Sequence, residues 1–170
     1  FEERRTIQKR VETMNNFILS IENDIPRKMF VTGFRTVFVF NNKIITSGNY
    51  IGNVSKGIQE LFFNGTLLGE NQQVMDGAKF PDLLNDLKAQ GDKININISI
   101  TNASISIYQT DPWNIKVNLI ANFSIIDKNK LASWDKKLNS TGVIPISHFE
   151  DPVYLLNTGG IITTKIIKSS

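Results

Sequence analysis

His148 stands in the stretch SHFEDP with Glu150 and Asp151 close behind, and it is the single histidine of the chain. An imidazole beside two carboxylates is the raw material of a metal site or a proton relay. Metal ligands, however, come in spacings that turn several of them toward one ion, and this trio has no such spacing. A surface turn is the expected role. The chain has no cysteine, which removes thiolate ligands and thiolate nucleophiles. No nucleophile-elbow sequence surrounds any serine. The TGG of Thr158 to Gly160 is too short for a phosphate loop and lacks the Lys-Ser/Thr that completes one. Paired acids such as Glu2–Glu3 and Glu150–Asp151 read as solvated. Trp113 and Trp134 offer flat faces on which a sugar or a base would stack, although such residues more often rim a core. No catalytic residue, metal or cofactor is expected, and an enzyme is the least favoured class.

A different chemistry is written more densely. Asn-x-Ser/Thr frames occur at Asn53, Asn64, Asn97, Asn102, Asn122 and Asn139. Nineteen Asn and 24 Ser or Thr in 170 residues would give roughly three such frames by chance, so six is about a twofold excess. The side-chain amide of such a frame is the acceptor for an N-linked glycan, which is bulky and needs an outward-facing position. The spacing of the surrounding residues predicts that all six side chains are exposed.

That prediction rests on the elements that position them. From Lys93 the pattern KININISITNASISI alternates with period two: Ile94, Ile96, Ile98 and Ile100 face one way, Asn95, Asn97, Ser99 and Thr101 the other. After a break at TNA, Ala103, Ile105 and Ile107 resume it. TDPWN forms a turn, and Ile115, Val117, Leu119, Ala121, Phe123 and Ile125 line one face of a second strand. DKNK turns the chain again. LASWDKKLNSTGVIPISHF is read as one or two strands joined around NSTG, which places Asn139 in a turn, and IITTKIIK as a strand that closes the sheet.

The first part of the chain is helical. Ile7, Val11, Met14, Ile18, Ile21 and Ile25 are spaced as a heptad a/d stripe over almost three heptads. The stripe either packs on its own domain or forms an assembly surface; Ile7, Val11, Met14, Ile18 and Ile21 are the candidates for the latter. Pro26 predicts a kink or restart. Phe30, Phe34 and Phe38, with Val31 and Val37, favour a largely buried continuation, in which Gly33 would allow a close neighbour. VSKGIQELFFNG reads as a short helix with Ser55 as a cap and Gly65 past its end, and FPDLLNDLKAQG as another that Gly91 stops. The expectation is one α+β domain over residues 1–170, with a long kinked N-terminal helical segment (1–41) and short helices (54–91) packed on one face of an antiparallel sheet (93–168).

Composition narrows the class further. An apolar fraction of 41% supports a real core, and a net charge of +3 with scattered acids and bases lacks the gathered basic face of a nucleic-acid binder. The only dense basic run, RRTIQKR, is tempered by Glu2, Glu3 and Glu12. No apolar run reaches the roughly 18–20 residues of a membrane span, and no signal peptide is recognisable. The chain opens on Phe1 in helical sequence, so the expectation is an N-terminal segment lying outside it.

The segments RVETMNNFILSIENDIPRKMFVTGFR, ELFFNGT, SIYQTDPWNIKVNLIANFSIIDKNKLASW and ISHFEDPVYLLNTGG together span most of the chain. In these segments it resembles uncharacterised archaeal surface proteins that carry a type IV pilin-like or simple N-terminal membrane anchor. The resemblance implies a preceding hydrophobic helix as the anchor, with everything after it outside the cell, and no catalytic residues. The expected role is a non-enzymatic, membrane-tethered extracytoplasmic domain, structural or adhesive, with homo-oligomer or filament subunits as partners. The alternative is an extracytoplasmic ligand-binding sensor, which a deep pocket lined by Trp113 or Trp134 would favour.

Overall fold

The computed structural model describes residues 2–49 and 51–145. Helix α1 runs from Glu2 to Ser47, then α2 (Val54–Asn64), strands β1 (Thr66–Leu67) and β2 (Glu70–Asn71), a 3-10 turn at Gln73–Met75, helix α3 (Phe80–Asp92), and strands β3 (Ile96–Asp111), β4 (Asn114–Asp127) and β5 (Ser133–Pro145). The fold is α+β. The three long strands form an antiparallel sheet in the order β3-β4-β5, α1 lies across β4 and β5, and α2 and α3 lie on β3.

With 46 residues, α1 is about 69 Å long at 1.5 Å per residue. It extends six residues beyond the expected boundary at 41, and its helical assignment passes through Pro26 without the expected restart. Proline deletes one backbone hydrogen bond and crowds the preceding turn. Here its ring faces solvent, while Ile21, Ile25 and Met29 on either side are almost wholly buried and pin both halves to one sheet.

The heptad stripe is consumed by this packing. Met14, Ile18, Ile21 and Ile25 are buried against the chain's own sheet, so Met14, Ile18 and Ile21 are not an assembly surface. Only Ile7, which is exposed, and Val11, which is half-buried, lie outside that core. The period of a stripe states that a helix has an apolar face but not what covers it. A second correction concerns the phenylalanine row. Phe30 and Phe38 are exposed and Phe34 is half-buried, with the Phe30 and Phe34 rings stacked at 6.4 Å. The core face of this half is made by Met29, Thr32, Gly33, Thr36, Val37, Phe40, Asn41 and Ile44.

Two glycines let α1 come down onto the sheet. A Cβ on Gly33 would run into the Ile144 side chain and lie 2.9 Å from a Val117 methyl, so the expected close approach at Gly33 is present. A Cβ on Gly142 would lie 2.8 Å from the backbone of Met29 and of Phe30. Helix backbone yields less readily than a side chain. Gly142→Ala is therefore expected to lower the unfolding free energy by about 1–3 kcal/mol, the usual range for overpacking. Urea denaturation checks this, with Val143→Ala on the exposed neighbour as a control expected to stay within about 0.5 kcal/mol.

The sheet keeps its greasy side toward the helices by a phase change. Ile96 and Ile98 are buried at even positions, Ile105 and Ile107 at odd ones. Between the pairs Thr101↔Asn122 and Ser104↔Ile120, β3 advances three residues while β4 advances two. That bulge, with Asn102 at φ 53°, inserts the residue that flips the alternation and keeps both isoleucine pairs inside. Strand β5 is continuous. NSTG is no turn: Asn139, Ser140, Thr141 and Gly142 pair in register with Ile120, Leu119, Asn118 and Val117. The glycine serves contact with α1 rather than chain reversal.

Gly65 caps α2 as expected, but the roles expected of Ser55 and Gly91 differ. The Asn53 side chain, not Ser55, caps α2 by accepting the Lys56 N–H at 2.9 Å, and Gly65 ends the helix in the left-handed conformation. Gly91 lies inside α3, where a Cβ would meet the Ile96 carbonyl oxygen at 2.7 Å. Its role is close packing, and the chain reverses later, at Asn95 (φ 59°).

Candidate functional site

Among the described residues no group of three or more His, Cys, Asp or Glu could hold a metal ion, and no helix is long and apolar enough to cross a membrane. His148, Glu150, Asp151, the Thr158–Gly160 stretch and the strand expected at IITTKIIK lie outside the described residues.

The sheet surface facing away from the helices is the feature where the most candidate residues meet. All six frame asparagines are exposed. Asn97, Asn122 and Asn139 lie on β3, β4 and β5 in phase opposite to the buried rows, and Asn102 is exposed at the β3 bulge. Asn122 is paired with Thr101 on one side and Lys137 on the other, and with Ser124 these residues line a shallow basin of about 370 Å³. Asn53 caps α2 and Asn64 is its last residue. The hydroxyls of the frames are not equivalent. Thr66 of the Asn64 frame donates to Glu60 Oε1 at 2.8 Å, and Thr141 of the Asn139 frame donates to Asn118 Oδ1 at 2.9 Å.

One end of the sheet is closed by an ion pair that composition alone did not single out. Arg10 donates from Nε to Asp127 Oδ1 at 2.8 Å and from Nη2 to the carbonyls of Ile94 and Asn95, while Asp127 Oδ2 accepts the Leu131 N–H. The Asp127 side chain is wholly buried. A signal was available: Asp127 falls in phase with Ile115 through Ile125, and a carboxylate on the greasy side of a strand demands a cation. Residues 2–9 of α1 are all exposed, so Arg10 is where the helix first meets the domain.

The opposite end of the sheet carries the β3–β4 turn. Asp111 Oδ1 accepts the backbone N–H groups of Trp113 and Asn114 at 2.8 and 2.9 Å, bonds that hold its carboxyl below the usual aspartate range, that from Trp113 most of all. Trp113 stands on this turn 70% exposed, and Trp134, at the start of β5, is 38% exposed. Neither lines the groove of about 390 Å³ between α1 and α3, which is bordered by Asp24, Arg27, Lys28, Lys79, Asp82 and Asp86. In that groove burial lowers the Lys28 pKa, but the hydrogen bonds and charges of Asp86 and Asp24 outweigh it and leave the pKa above its ordinary value.

Glu60 organises the turn between β1 and β2, which pattern reading passed over. Its carboxylate accepts the N–H of Gly69 at 2.8 Å and of Leu68 at 3.1 Å, besides the Thr66 hydroxyl. The clamp holds Leu68 at φ 52° and Gly69 at φ 81°, positions a two-residue hairpin of this hand requires. These bonds, led by that from Gly69, hold the Glu60 pKa below its ordinary value. A depressed folded-state pKa gives stability that is present above the unfolded value and is lost as the pH falls through the folded one. The Gly69 amide resonance is therefore expected to shift with a midpoint below that of an ordinary glutamate, and Glu60→Gln to abolish that step in an NMR titration.

No protein-family model, curated protein or solved structure matches this chain.

Proposed function

We propose that this chain is a non-enzymatic, membrane-tethered extracytoplasmic domain with a structural or adhesive role, of the archaeal pilin-like kind that its sequence resembles. The observation that carries the reading is the exposure of all six Asn-x-Ser/Thr asparagines, three of them on the strand faces turned away from the helices. Glycans tolerate only such positions. The layout of α1 agrees with a tether: its first turns stand clear of the domain, and the helix runs from Asp127 at Arg10 to Val117 at Gly33. The Trp113 turn thus lies at the pole away from the tether. In cell fractionation the full-length protein is expected to sediment with membranes and to be released by detergent but not by high salt. Recovery in the soluble fraction would contradict the reading.

The alternative, a ligand-binding sensor, draws support from the mixed-charge groove between α1 and α3. A thermal shift with small zwitterions, abolished by Arg27→Ala, would favour it over a purely structural role.

A further inference from the structure

The six frames are alike in sequence but not in the folded chain, and the differences select one of them. An Asn-x-Ser/Thr frame works through two side chains, the acceptor amide and the hydroxyl two residues on, so a transferase must grip both on one bent segment. A tripeptide held in a regular ladder cannot bend without losing its strand pairing. Asn122 is the most constrained, in the central strand with partners on both sides. Asn97 is held in register opposite Ile126. In the Asn139 and Asn64 frames the hydroxyl is engaged by Asn118 and by Glu60. At Asn53 the side-chain oxygen is committed to capping α2.

Asn102 differs at the acceptor itself, although Ser104 of its frame is paired in register with Ile120. The ladder between β3 and β4 is interrupted there, the residue already has a left-handed backbone at φ 53°, and both Asn102 and Ser104 are exposed. We propose that Asn102, with Ser104, is the principal glycan acceptor of the folded chain. This rests on the reading of the chain as an exported glycoprotein. The step is a glycosyl transfer. The Asn102 Nδ2–C1 bond forms as the bond from C1 to a lipid-linked diphosphate breaks; the diphosphate leaves with the bonding pair, and one amide proton is given up to the transferase base. Glycans on two frames of neighbouring strands would also crowd each other. Asn139 is paired with Ile120, two residues along from Asn122 and one strand over, so those two side chains stand only about 8 Å apart.

The test uses the folded chain as acceptor for a single-subunit oligosaccharyltransferase that accepts the plain frame, with a lipid-diphosphate-linked chitobiose donor. Synthetic peptides covering each frame serve as unfolded references, and glycopeptide mass spectrometry reads the sites. Asn102 is expected to be modified first in the folded chain, while the peptides show no such preference. Ser104→Ala, which leaves the Asn102 backbone untouched, is expected to remove that product without shifting it to Asn122. Modification of Asn97 or Asn122 as fast as Asn102, or an unmodified Asn102 beside modified peptides, would overturn the selection while leaving the glycoprotein reading standing. Failure of every frame, in peptides as well as in the chain, would remove both.

Discussion

Ile21→Lys leaves the domain without a stable fold, whatever its state of association. Ile21 is 2% exposed in the core between α1 and the sheet. The substitution forfeits an isoleucine burial of about 1.5–3 kcal/mol and places an ammonium group in the core, where the nearest lining carboxylate, Glu22, is already paired with Lys136. The total is expected to exceed about 4 kcal/mol, a large part of the 5–15 kcal/mol typical of a domain. Ile7→Lys, at the exposed end of the same stripe, is expected to stay within about 0.5 kcal/mol. Circular dichroism with urea titration separates the two. A folded Ile21→Lys chain that differed only in its oligomeric state would restore the stripe as an assembly surface.

Arg10→Met has the second largest expected effect. The variant keeps most of the apolar stem but strands the wholly buried Asp127 carboxylate, whose remaining side-chain bond is to the Leu131 N–H. Breaking a buried pair from one side costs about 3–5 kcal/mol. The Ile94 and Asn95 carbonyls lose the Arg10 donor as well, Asn95 keeping only the Lys128 N–H, so the loss should appear first as faster amide exchange at the α3–β3 junction and the adjoining β4–β5 turn. Adding Asp127→Asn to Arg10→Met is expected to recover part of the stability, since it removes the stranded charge. Equal stability of Arg10→Met and the parent would mean that the contact contributes nothing.

What was legible in the sequence follows from periods. The alternation from Ile96 to Ile107 and the row from Ile115 to Ile125 specify two strands and a wet face without reference to any other part of the chain, while the break expected at TNA is a bulge within one continuous β3. The short helices were legible as well, α2 with Gly65 past its end and α3 from the FPDLLNDLKAQG segment. The misreadings concern residues whose role is set by a distant partner. Gly142 resembles a turn glycine until Met29 and Phe30 are placed above it, and Gly91 resembles a stop until the Ile96 carbonyl arrives. The heptad stripe named an apolar face but could not say whether a second helix or the chain's own sheet would cover it. In the following stretch, the regular Phe30–Phe34–Phe38 spacing drew attention from the true core row of Met29, Gly33, Val37, Phe40 and Ile44. The candidate glycan positions were legible as frames and as exposed residues. Their inequality was not, because it depends on the bulge, the α2 cap and two hydroxyl partners that only the folded chain supplies.

The proposal that the frame-bearing sheet face lies outside the cell can be tested at one residue. The chain has no cysteine, so Ser99→Cys introduces a unique thiol on that face, beside the buried Ile98. In intact cells carrying the full-length protein, a membrane-impermeant maleimide is expected to label Cys at this position as fully as in lysed cells, while Ile98→Cys stays unlabelled in both. Labelling of the Ser99→Cys protein only after lysis would place this face on the cytoplasmic side and contradict the account.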